Sequence, residues 1–86
     1  MTAGRVIRSF AAPGGLAQGV TWDGRTLWHH SFTTALIYQL DPVTGRVIRS
    51  FSAPAADCRD LAWDGRSLWV ARPSAALLSQ LAPATG

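Results

Sequence analysis

Eighty-six residues, 48% apolar and 15% charged, suffice for one small domain and exclude a disordered chain; no apolar run of about eighteen residues offers a membrane helix. All eight basic residues are Arg and all five acids are Asp, and the absence of Lys and Glu beside eight Gly and five Pro argues against a mainly helical fold. The net charge of +3 comes without a continuous basic stripe, so nucleic acid is not an expected partner, and the single cysteine, Cys58, excludes an intrachain disulfide framework and any multi-cysteine zinc site.

Along the chain, residues 1–19 carry Arg5 and Arg8 but no unbroken apolar stretch of a secretory signal, which leaves the compartment open with the cytoplasm as default. The heptapeptide GRVIRSF at residues 4–10 returns unchanged at 45–51, and pairing 4–44 with 45–85 gives 21 identities in 41 positions. The chain is therefore two copies of one unit. Within the unit, Val20–Trp22 and Thr26–His29 are β-rich runs flanking Asp23-Gly24, a hairpin signal because Gly accepts the positive φ that a primed turn demands. A connection at about residues 30–34 leads to the run Ala35–Leu40. Asp41-Pro42-Val43-Thr44-Gly45 then reads as a bulged turn, with Pro42 pre-setting φ and Gly45 taking the left-handed position, before the run Arg46–Phe51. Four short antiparallel strands in about forty residues match the spacing of a propeller blade.

The pattern W-D-G-x-x-L-W, then I-Y-x-L-D-P-x-T-G-R-V, then a strand ending Ser-Phe, resembles the blade repeats of β-propellers of the NHL, YVTN, virginiamycin B lyase-like and glutaminyl cyclase-like group. The resemblance spans nearly the whole chain twice and implies an all-β propeller of two four-stranded blades per chain. It implies that residues 1–44 hold an outermost strand (5–10) for a neighbour's blade and three strands of the first blade. Residues 45–86 then hold that blade's outermost strand and three strands of a second, of which 77–81 is the third. Strand 5–10 is expected to pair with strand 77–81 of another subunit, closing a head-to-tail ring of identical copies. A six-bladed trimer is favoured, with an eight-bladed tetramer as the alternative. A natural minimal propeller, a duplicated fragment of a larger one and an engineered chain all fit the repeat.

The 20 differences between the copies are clustered: 14 fall at residues 14–21 against 55–62 and 29–34 against 70–75. The resemblance puts both segments on one face of the ring; they read first as drift in loosely packed loops and second as a ligand site at Gln18, His29, His30, Asp57, Arg59, Asp60 and Arg72. Adjacent strand residues point to opposite faces, so His29 and His30 cannot chelate one ion together, and no metal or cofactor is assigned. Asp57, Arg59 and Asp60, with Arg72 across the face, read first as an ion-pair network and second as donors and acceptors for a polar ligand. Cys58, with no His near it in its own repeat, reads as an inert thiol. Trp28 and Trp69 are expected between blades, and Trp22 and Trp63 beside the Asp-Gly turns. The first functional reading is a self-assembling structural module without catalysis, partnered by itself and by neither nucleic acid nor membrane. The alternatives are a lectin-like site for a sugar or small polar ligand, and a vestigial lyase or cyclase.

Overall fold

The computed structural model describes residues 5–15, 17–55 and 57–83. Among the described residues seven strands form, in chain order β1 (Ala17–Trp22), β2 (Leu27–Ser31), β3 (Leu36–Leu40), β4 (Val47–Ser52), β5 (Asp60–Trp63), β6 (Leu68–Arg72) and β7 (Leu77–Leu81). They build two antiparallel sheets, sheet I in the order β1-β2-β3-β4 and sheet II in the order β5-β6-β7. The chain is all-β, with one short 3-10 turn at Pro73–Ala75. Gly4 of the first heptapeptide and the end of the second unit, residues 84–86, lie outside the described residues.

The corners follow from the repeated motif. Asp23 Oδ1 accepts from the amides of Arg25 (2.8 Å) and Thr26 (2.7 Å), while Oδ2 accepts from the Thr26 hydroxyl (2.7 Å) and the Trp28 indole N–H (2.8 Å). Asp64 does the same for Arg66, Ser67 and the Trp69 indole. The side-chain amides of Gln39 and Gln80 then donate to the Thr26 and Ser67 hydroxyls, tying the third strand to each corner. Gly24 and Gly65 supply the positive φ, +100° and +103°. Burial pushes the Asp23 carboxyl up, but the bonds from Thr26, Trp28 and Arg25 outweigh it and hold the group at about 2. At the Asp-Pro corner, Asp41 Oδ1 accepts from the Val43 amide (2.7 Å) and Gly45 takes the left-handed φ expected of it, +77°, while the register shift opposite Gln39 and Leu40 leaves Ile48 of β4 without a partner, a bulge beyond the turn.

Sheet alternation gives each sheet two faces. Sheet I turns Trp28, His30, Ile37 and Phe51 toward sheet II, and sheet II answers with Leu61, Leu68, Val70 and Leu81. With Cys58 these make the buried core, and β1 lies directly on β5. Trp28 packs against Phe51 at 6.0 Å and carries the Arg49 guanidinium over its ring at 5.3 Å. Gly19 permits the close approach: a Cβ there would stand 3.0 Å from the Asp60 Cα and 3.1 Å from the Leu61 nitrogen.

Candidate functional site

The seven residues singled out from sequence do not converge on one cavity. Gln18 and His29 line a groove of about 380 Å³ on the outer face of sheet I; Asp60 lines a second hollow, on sheet II, and Arg59 and Arg72 a third. Asp57 and Arg72 do meet: Arg72 Nε stands 3.7 Å from Asp57 Oδ1, with about a quarter of each side chain exposed. A pair so open to solvent contributes at most about 1 kcal/mol. Arg59 and Asp60 are exposed, and Asp60 Oδ1 accepts from the Leu61 amide.

Both histidines are buried. As β2 alternates, they lie on opposite sides of sheet I. His29 Nε2 is 3.1 Å from the Pro13 carbonyl and its ring stacks on Tyr38 at 5.3 Å, beneath the turn at residues 13–15 that also receives the Ser31 hydroxyl on the Gly14 carbonyl. His30 sits in the joint between the sheets beside the Cys58 backbone, with neither ring nitrogen hydrogen-bonded among the described residues. Sequence reading missed this neighbour of Cys58 because the two residues belong to different units. Burial pushes the Cys58 thiol up and the His30 imidazole below 6.5, so both stay neutral and form no nucleophile–base pair. Among the described residues, no group of three or more His, Cys or Asp side chains is placed to hold a metal ion.

Burial also lowers His29, against the opposing pull of the Pro13 and His30 backbones. Both histidines therefore bind protons more readily in the unfolded chain, and their contribution to stability, full above about 6.5, falls as pH drops below it. Asp23 and Asp64, held low in the fold, lose theirs only below their ordinary 3.8. Urea midpoints should thus fall between about pH 7.5 and pH 5. A flat profile in that window would contradict neutral buried imidazoles.

The largest structural irregularity is apolar. Positions 41 apart are repeat equivalents, yet their burial differs sharply. Trp28 is 1% exposed but Trp69 37%, and Ile37 is 0% but Leu78 75%. On the other face Leu61 is 5% exposed and Val20 61%. Residues 5–10 carry the sequence of β4 but form no strand, and Val6 and Ile7 stand in solvent, while the outer edge of β7 has no strand partner among the described residues. Phe10 rests against Gly45, and Arg8 Nη1 donates to the Pro42 carbonyl at 3.2 Å. The accessible surface is 5610 Å², against about 4,900 Å² expected of a compact monomer of this mass.

No protein-family model matches this chain, and no curated protein matches it significantly.

Proposed function

We propose that the chain is a self-assembling β-propeller module with a structural role, each copy giving two blades to a ring of identical copies, three copies favoured over four. One observation carries the reading. In sheet I, β4 pairs along β3 from Ser52 opposite Leu36 to Val47 opposite Leu40. In sheet II the equivalent of β3 is β7, whose outer edge has no strand partner among the described residues, and residues 5–10, which repeat the sequence 46–51, pair with no described strand. Strand 5–10 of a second copy fits that edge in sequence and register, and an open apolar edge is a liability that such pairing removes. Catalysis has no part in this reading.

Native mass spectrometry and sedimentation of the 86-residue chain test it. The expected result is one discrete species of three or four chains; a folded monomer at all concentrations overturns the proposal.

A further inference from the structure

We infer that, in the ring proposed above, the outer face of sheet II closes on the outer face of sheet I of the next copy, and that Asp60 keeps this seam distinct from the joint inside the chain. The inference rests on that ring and names the surfaces that meet in it.

Repeat equivalence supplies the pairing. The joint within the chain sets Trp28, Ile37 and Phe51 against Leu61, Leu68, Val70 and Leu81. Shifted by 41 positions, the first set becomes Trp69 and Leu78, with Phe10 for Phe51; the second becomes Val20, Leu27, His29 and Leu40. Trp69 and Leu78 line one exposed hollow, of about 260 Å³. Val20, Leu27, His29, Leu40 and Phe10 line the groove on sheet I. The chain thus exposes one face of each kind, and a second copy presents the complement to both. Such a contact is heterologous and repeats head to tail, as a closed ring requires.

The seam is not a duplicate of the joint. In the joint, Gly19 lies flush on the Arg59–Leu61 backbone with no room for a Cβ, and His30, its partner across β1–β2, fills the space beside it. At the seam the same two positions are Asp60 and Ala71, partners across β5–β6. Large and small are exchanged. A carboxylate at the flush position holds the inner strands of neighbouring copies farther apart than β1 and β5 are held within one chain.

Two single variants of the full chain, Leu78→Cys and Val20→Cys, test the pairing, because their equivalents Ile37 and Leu61 share the buried cluster. Mixed after dissociation and reassembled, they should yield a heterodimer with a short bismaleimide, whereas each variant alone yields none. Rings that form without this cross-link would overturn the inference and leave the ring standing; monomers throughout would overturn both. Asp60→Gly should lower the dissociation constant of the ring by ~10-fold or more, since the seam then closes as the joint does. An unchanged constant would remove Asp60 from this role.

Discussion

In the proposed ring, Arg8→Pro should turn the discrete oligomer into monomers without unfolding the two sheets. Arg8 is exposed and pairs with no strand among the described residues of its own chain, so the protomer loses only the bond from its guanidinium to the Pro42 carbonyl. Its equivalent, Arg49, pairs with Gln39 in the β3–β4 ladder. A proline at the matching place in an exchanged strand removes a donor and cannot follow the ladder at that point. One buried carbonyl left unpaired, together with the lost pairing around it, costs about 3 kcal/mol per seam, ~100-fold in each dissociation constant. Arg8→Ala is the control, losing the same side-chain bond while keeping the amide. Sedimentation at matched concentrations reads the difference, and an oligomer indifferent to Arg8→Pro would show that residues 5–10 are not the exchanged strand.

The second large effect is internal. Gly19→Val should destabilise the protomer itself by about 3 kcal/mol, because the atoms that a side chain would strike belong to the β5 backbone, which cannot rotate away. The equivalent change, Asp60→Val, sits on the exposed face of sheet II and should leave protomer stability within about 0.5 kcal/mol. Urea unfolding of both variants, made in the Arg8→Pro background to remove association, measures the contrast. Equal losses at the two positions would mean that the sheets do not meet through Gly19.

These effects mark where the sequence was legible. The hairpins at Asp23-Gly24 and Asp64-Gly65 and the left-handed Gly45 are written in local residues, because Asp, Gly and Pro act on their immediate neighbours. The reason for the conserved spacing between the two copies was not visible: the acid reaches five residues on to the indole of Trp28 or Trp69, so the tryptophan belongs to the corner as much as to the core. The fate of the histidines was hidden for another reason. Alternation correctly separates His29 from His30, but what covers each side comes from distant chain, the Pro13 turn for one and the Cys58 segment for the other. Likewise Trp28 lies between the two sheets, whereas Trp69 stands 37% exposed on the outer face of sheet II. Periodicity assigns faces; it does not say what closes over them.

The acid-anchored corners bear on the order of events as the chain folds. Each acid takes its bonds shorter than 3 Å from residues no more than five away, so the closures they need involve very short loops and little entropy is lost in making them. Hairpins of this size form within about 1–10 microseconds, long before two molecules at micromolar concentration meet. Nascent chains should therefore encounter one another with their bends already set, and dilution should slow the bimolecular phase of refolding while leaving the earliest spectroscopic change untouched.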